Sequence, residues 1–112
     1  MFNVKKSKEL IQMREADEYD IAADSIQNEL IQCVCESIED SIQYILNDCT
    51  ASEFSWLSEI FVEIIIKTLS QNFINSLRIT AEKFPEETKE YNILYFIDLA
   101  QKKLDQLLKL NK

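Results

Sequence analysis

The most constraining feature of this 112-residue chain is that it contains no glycine and only one proline, Pro85. Tight β-hairpin turns and glycine-rich phosphate-binding loops need positive φ angles, which glycine adopts most easily. The alternation of apolar and polar residues that marks a half-buried strand is also missing. Hydrophobic residues make up 46% of the chain, which suffices for one core at this length. The sequence therefore predicts an all-α protein with a single helical domain over residues 1–112.

One long apolar helix is predicted over residues 50–69. Thr50 and Glu53 have the spacing of a capping box, in which each side chain accepts a hydrogen bond from the backbone of the other residue. The residues that follow are apolar nearly all round the helix, which is typical of the centre of a domain. Its least apolar side holds Trp56, Glu59 and Glu63, each about one turn from the next. We expect this edge to be a functional surface.

Four further segments show helical patterns: residues 7–16, 21–47, 70–84 and 92–110. Three residues are predicted N-caps: Ser7, Ser70 and Asn92. Pro85 is expected to end one helix and begin a short helical turn. The apolar stripe of residues 21–47 drifts around the helix, which predicts a bend or break near residues 36–37. The chain is therefore expected to form an irregular bundle of five or six antiparallel helices joined by short loops.

Charge is distributed very unevenly along the chain, whose formal net charge is −8. Residues 15–66 contain thirteen acidic residues and no Lys or Arg, whereas residues 1–14 sum to +3 and residues 67–112 to +2. An ordinary solvated surface mixes the two signs. This segment would repel nucleic acids and anionic membranes and would attract a basic protein surface. The basic residues that could bind nucleic acid lie near the two ends of the chain. They are better explained as solubilising tails and as cations that suit the C-terminal end of a helix.

Several kinds of chemistry are disfavoured by composition. The chain has no histidine, which removes the usual general base, the Ser-His and Cys-His nucleophile pairs and the commonest metal ligand. Cys33, Cys35 and Cys49 are odd in number and lack a fourth metal ligand, so we expect free thiols. No apolar block follows the first lysines and no stretch approaches membrane-spanning length. The sequence therefore predicts a cytoplasmic protein without catalytic residues, metal or cofactor.

An enzymatic alternative depends on carboxylates. All-α nucleoside-triphosphate pyrophosphohydrolases of the MazG type hold Mg²⁺ with an E-x-x-E pair and a later E-x-x-D pair on facing helices. Glu36 and Glu39 supply the first pair here, with Asp40 adjacent, but the later pair would be Glu59 and Glu63 at a different spacing. Residues 15–66 also offer no cation for a triphosphate. This alternative stays open beside a binding function.

Aromatic residues within the acidic segment suggest an interface, since binding hot spots are often large aromatics ringed by polar groups. Trp56 beside its two glutamates fits this description, as does Tyr44 near Asp40 and Asp48. The competing interpretation is that Trp56 belongs to the core and the glutamates form its solvated rim.

The chain resembles, over roughly residues 36–100, the small helical immunity proteins of bacterial contact-dependent growth inhibition systems. The segments that carry the resemblance are C-E-S-I-E-D-S-I-Q-Y-I-L-N-D, S-W-L-S-E-I-F-V-E-I-I-I-K-T-L-S-Q-N-F-I-N-S-L-R, A-E-K-F-P-E-E-T-K-E-Y-N-I and F-I-D-L-A. It implies a cytosolic protein that binds the C-terminal toxin domain of a partner and blocks its active site. Such toxins are often nucleases with basic substrate clefts, so the acidic segment would present carboxylates where phosphates otherwise lie.

We therefore expect an immunity protein that neutralises a toxin domain by stoichiometric binding. The predicted partner-binding residues are Glu36, Glu39, Asp40, Trp56, Glu59 and Glu63. A helical adaptor for some other basic protein is the nearest alternative binding function. The oligomeric state is not indicated by the sequence.

Overall fold

A computed structural model describes residues 3–17 and 22–110 of the protein. Every regular element in these two ranges is an α-helix. The eight helices of these ranges are α1 (Val4–Ala16), α2 (Ala23–Cys35), α3 (Ile38–Asn47), α4 (Ala51–Ser58), α5 (Phe61–Thr68), α6 (Gln71–Lys83), α7 (Pro85–Glu90) and α8 (Ile93–Leu110). The all-α prediction is confirmed. There are more helices than the five or six expected, because two predicted helices are each divided. Their antiparallel arrangement stays a prediction.

The predicted break near residues 36–37 is confirmed, and a serine fixes its geometry. Ser37 has extended backbone angles between α2 and α3. The buried hydroxyl of Ser41 lies 2.7 Å from the carbonyl oxygen of Val34 and 2.9 Å from that of Ser37. It therefore provides a donor for a carbonyl near the end of α2, where the helix itself leaves carbonyl groups unpaired. Residues 18–21, which include Glu18, Asp20 and the expected start of α2 at Ile21, lie outside the described residues.

The prediction of one helix over residues 50–69 is wrong, because the chain turns at residues 59–60 between α4 and α5. Ser58 donates from its hydroxyl to the carbonyl oxygen of Ser55 at 2.5 Å, the acceptor that the N–H of Glu59 would use in a continuous helix. The N–H of Glu59 instead lies 3.3 Å from the carbonyl oxygen of Trp56, three residues back. Serine hydroxyls that compete for helix carbonyls in this way bend helices.

Other helix ends show which local signals held. The capping box of Thr50 and Glu53 is confirmed, with both reciprocal hydrogen bonds formed. Ser70 caps α6 as predicted, and Pro85 begins the short helix α7. The predicted N-cap at Ser7 is wrong, because α1 begins earlier and is capped by the side chain of Asn3.

Two residues stand in the left-handed region that glycine usually occupies. Leu69 ends α5 with φ 52° and Asn92 precedes α8 with φ 53°. Asparagine tolerates this conformation better than leucine does. A chain without glycine therefore ends α5 at some backbone cost.

The core forms around α5, α6 and α8, whose apolar faces are fully buried. α5 contacts α2 and α8, and α6 contacts α3 and α8. The Phe61 ring at the start of α5 lies 5.7 Å from the ring of Phe54 and 6.3 Å from that of Phe73, centroid to centroid. The radius of gyration of 13.4 Å matches the value of about 13 Å expected for a folded domain of this length. Within the described ranges, no helix combines the length and apolar character needed to cross a membrane.

Candidate partner-binding surface

The six residues predicted to bind a partner fall into three surface regions. Trp56 and Glu59 line a groove between α4, α7 and α8, which we call the Trp56 groove. Glu63 lines a different depression between α2 and α5, which we call the α2–α5 groove. The other three surround the turn between α2 and α3, which we call the acidic corner: Glu36, Glu39 and Asp40. The expected continuous edge of Trp56, Glu59 and Glu63 is not formed, because the turn at residues 59–60 separates its members.

The Trp56 groove has a volume of about 260 Å³ and a lining of serines, carboxylates and aromatic rings: Ser52, Ser55, Trp56, Ser58, Glu59, Glu87, Tyr91 and Phe96. Trp56 is only partly buried and packs against the core. The interpretation of Trp56 as a core residue is therefore partly confirmed, and its role in binding a partner stays a prediction.

Arg14 of α1 neutralises Glu59 beside this groove. Its guanidinium lies 5.0 Å from the centre of the Trp56 ring, and its Nη2 atom lies 3.2 Å from Oε2 of Glu59. The Arg14 side chain is only 12% exposed, so the ion pair is sheltered from solvent on that side. Nothing in the local sequence predicts this pairing, because α1 and α4 lie far apart in the chain. The carboxylate of Glu59 is thus partly committed within the protein.

Glu53 is the second glutamate of α4 that α1 neutralises. Nζ of Lys8 lies 2.8 Å and 3.0 Å from its two carboxylate oxygens, and the hydroxyl of Tyr44 donates to Oε1 at 2.8 Å. The N–H of Thr50 donates to the same oxygen at 3.0 Å. Tyr44 is therefore a core residue, 2% exposed, and its expected role on an acidic interface is wrong. We call the two ion pairs together the α1–α4 seam: Lys8–Glu53 and Arg14–Glu59.

The environment of Glu53 shifts the pKa values of three groups in this cluster. Burial by itself raises the pKa of Glu53, but hydrogen bonds from Lys8, Thr50 and Tyr44 outweigh it and lower the value. Burial and the nearby carboxylate raise the pKa of the Tyr44 phenol, which stays protonated. Burial and then the same carboxylate raise the pKa of the Cys49 thiol to about 12. The cluster thus holds a carboxylate, a neutral phenol and a neutral thiol, which suits a structural role.

The carboxylates of the acidic corner are exposed and, within residues 3–17 and 22–110, form no ion pair. Glu39 and Asp40 lie in the first turn of α3, where the helix dipole favours negative charge. Glu36 lies at the C-terminal end of α2, where the dipole disfavours it. Helix stability therefore accounts for two of these acids and not for Glu36.

The α2–α5 groove places an exposed apolar residue among polar ones. Its lining consists of Asn28, Ile31, Gln32, Glu63, Ile66 and Lys67. Ile66 is 48% exposed, and Glu63 makes no ion pair with any residue that the structure describes. Burial raises the pKa of the Cys35 thiol at the end of α2, and the positive charge of Lys67 opposes part of this rise.

The carboxylates required by a pyrophosphohydrolase are not assembled into a metal site. In the described parts of the chain, no group of three or more Asp, Glu, Cys or His side chains is placed to hold a metal ion. All four residues of that hypothesis lie in these parts and therefore form no such group: Glu36, Glu39, Glu59 and Glu63. No observation favours this enzymatic alternative.

Comparisons of the chain with known protein families, with curated proteins and with solved structures give no match. The chemistry of the two grooves and of the acidic corner is therefore the basis for assigning a function.

Proposed function

We propose that this protein is an immunity protein, which binds a cognate basic toxin domain and neutralises it by forming a stoichiometric complex in the cytoplasm. The observation that supports this proposal most directly is the distribution of charge on the folded chain. The cations Lys8 and Arg14 pair with Glu53 and Glu59, and the exposed carboxylates that form no ion pair with any described residue include four of those predicted to bind a partner: Glu36, Glu39, Asp40 and Glu63. Such groups attract a surface of opposite sign and raise the rate of encounter.

The position of Glu36 argues for function over stability. A negative charge at the C-terminal end of a helix is unfavourable by about 0.3–1 kcal/mol at an exposed site. None of α2, α3 and α4 has a basic residue in its last turn to compensate. The dipole of α2 therefore does not account for Glu36, whereas attraction of a basic partner does.

The α2–α5 groove supplies the apolar contact that charge alone does not. Ile66 is half exposed and surrounded by Asn28, Gln32, Glu63 and Lys67, an arrangement in which polar groups exclude water from an apolar centre. The carboxylates of the acidic corner would attract the basic partner, and Ile66 would supply an apolar contact. If the toxin is a nuclease, its phosphate-binding cleft would provide the complementary basic surface.

The test uses two variants with equal changes in net charge. The first neutralises the proposed surface with Glu36→Gln, Glu39→Gln, Asp40→Asn and Glu63→Gln. The matched control neutralises four exposed acids elsewhere with Glu9→Gln, Glu82→Gln, Glu86→Gln and Glu90→Gln. Tagged wild-type and variant proteins capture partners from native cells at low and high salt, and mass spectrometry identifies them. The captured domain is then produced in a heterologous bacterium with and without this protein.

We expect the wild type and the control variant to retain the same basic domain at low salt, and the surface variant to lose it. Screening should weaken capture at high salt, because the Debye length shortens from about 10 Å at 0.1 M to about 3 Å at 1 M. The domain should arrest growth, and co-production of the wild-type protein should restore it. Equal loss in both variants would contradict the surface assignment. A basic partner that is harmless to cells would overturn immunity in favour of a helical adaptor.

A further inference from the structure

We infer that the Trp56 groove receives one cationic side chain of the partner, an arginine in particular. This inference depends on the proposed function, because it names the element of a basic partner that this second surface recognises. The groove is separate from the acidic corner and the α2–α5 groove, and it shares none of their lining residues.

The serine hydroxyls of the groove favour a ligand that donates hydrogen bonds. These three hydroxyls already donate within the protein: Ser52 to Oε1 of Glu15 at 3.0 Å, Ser55 to the carbonyl of Ser52 at 2.8 Å, and Ser58 to the carbonyl of Ser55 at 2.5 Å. The hydroxyl oxygens keep lone pairs, so these groups can still accept hydrogen bonds. A guanidinium group has five N–H donors and no acceptor, whereas a phosphate or carboxylate ligand has the opposite character.

The charge of the groove favours a cation. Glu59 and Glu87 both line it, and Arg14 neutralises Glu59. Glu87 forms no ion pair with any residue in the described ranges. Glu15, which accepts a hydrogen bond from Ser52, adds a further carboxylate beside the groove, so negative charge remains there and favours a cationic side chain.

The aromatic lining suits a flat cation. Trp56, Tyr91 and Phe96 contribute rings, and the guanidinium of Arg14 already lies over the indole at 5.0 Å. Cations near aromatic faces are attracted by the negative charge density of the ring. Arginine is favoured over lysine because its planar group can both stack on a ring and pair with a carboxylate. The volume of about 260 Å³ lies below the range of roughly 300–1,000 Å³ typical of pockets for drug-sized ligands, which suits one side chain.

The test titrates the full-length protein with N-acetyl-arginine amide and, separately, with N-acetyl-citrulline amide, which has the same shape without the charge. Trp56 is the only tryptophan of the chain, so its fluorescence reports directly on the groove, and amide chemical shifts confirm the location. A ligand of this size should bind with a Kd in roughly the millimolar range.

We expect saturable binding of the arginine compound and at least a fivefold weaker response to citrulline. Glu87→Gln and Tyr91→Ala should each weaken arginine binding severalfold, while Glu63→Gln, which lies outside the groove, should leave it unchanged. Circular dichroism checks that both groove variants remain helical. Equal responses to the two compounds, no saturation well above the expected Kd, or an equal loss with Glu63→Gln would overturn the inference.

These outcomes are separable from those of the proposed function. If the arginine compound fails to bind while capture of a basic toxin still requires the acidic corner, only the groove assignment falls. If the compound binds as expected and no basic toxin is captured, the immunity proposal falls and the cation-binding groove stands.

Discussion

The carboxylates of the α1–α4 seam and those of the acidic corner come from the same cation-free segment of the sequence, residues 15–66, yet they have different surroundings. At the seam, Glu53 and Glu59 are partly buried and paired with Lys8 and Arg14. At the corner, Glu36, Glu39 and Asp40 are exposed and, within the described ranges, form no ion pair. The thirteen acidic residues of residues 15–66 are therefore not equivalent charges on the surface. Folding consumes some of them in structure and leaves others available to a partner.

The largest effect should follow Glu53→Gln, which removes the charge at the centre of the seam. The side chain is 13% exposed and accepts hydrogen bonds from Lys8, Tyr44 and Thr50. The substitution weakens these hydrogen bonds, including the one from the buried hydroxyl of Tyr44. We expect the free energy of unfolding to fall by about 2 kcal/mol, or roughly 10 °C in Tm. Urea unfolding followed by circular dichroism measures it. A loss as small as that of Glu63→Gln would show that the seam contributes nothing.

The same carboxylate should make stability depend on pH in the acidic range. The pKa of Glu53 is lower in the folded protein than its usual value, because Lys8, Thr50 and Tyr44 favour the ionised form over the opposing effect of burial. In acid the unfolded chain therefore binds more protons at this residue than the folded chain does. Its stabilising contribution is complete above the unfolded pKa of about 4.3 and is lost as pH falls through the folded pKa. The free energy of unfolding, measured at several pH values, should fall more steeply between about pH 6 and pH 3 for the wild type than for Glu53→Gln. The same pH dependence in both proteins would refute this role of Glu53.

A smaller difference should separate Glu59→Gln from Glu63→Gln, two glutamates that the sequence presents as equivalent. The first substitution removes the carboxylate paired with Arg14, whose side chain is 12% exposed, and should lower the free energy of unfolding by about 1 kcal/mol. The second removes an exposed carboxylate and should change it by less than about 0.5 kcal/mol. Thermal unfolding of both proteins at equal concentration gives the comparison. Equal values would mean that the Arg14 pair is energetically neutral.

The smallest effect should have the opposite sign. Glu36→Gln removes a negative charge from the C-terminal end of α2 and should stabilise the protein by about 0.3–1 kcal/mol. Glu39→Gln, in the first turn of α3, should destabilise it by a similar amount and serves as the control. Both substitutions should slow association with a basic partner at low salt. Stability and binding would then separate at Glu36, whereas a stabilising change without any effect on binding would leave that carboxylate unexplained.

Signals within one segment were predictable, and pairings between distant segments were not. The capping box of Thr50 and Glu53, the cap at Ser70 and the helix start at Pro85 each depend on residues a few positions apart. The division between α4 and α5 also had a local signal in Ser55 and Ser58, whose hydroxyls donate to helix carbonyls three residues back. Against it stood an unbroken apolar pattern, which favoured one long helix.

The exposure of the candidate residues was easier to predict than their arrangement, and their role in binding stays a prediction. Glu36, Glu39, Asp40 and Glu63 are exposed, and Trp56 with Glu59 lines a groove, but Glu59 and Glu63 lie in different depressions. Glu87 and Tyr91, which complete the Trp56 groove, were missed because they belong to another part of the chain. The cation–π and ionic contacts of Arg14 depend on the packing of α1 against α4, which no periodicity indicates.

The separation of 45 residues between each cation of the seam and its carboxylate has a consequence for synthesis on the ribosome. At about 5–20 residues per second, roughly 2–9 s pass between the appearance of Lys8 and that of Glu53. α1 can contact α2 earlier, through the buried pair of Ser7 and Cys33 at 3.2 Å. The ion pairs of α1 with Glu53 and Glu59, however, can form only after α4 has been made. We therefore expect α1 to pack against α2 first and to complete the α1–α4 seam later.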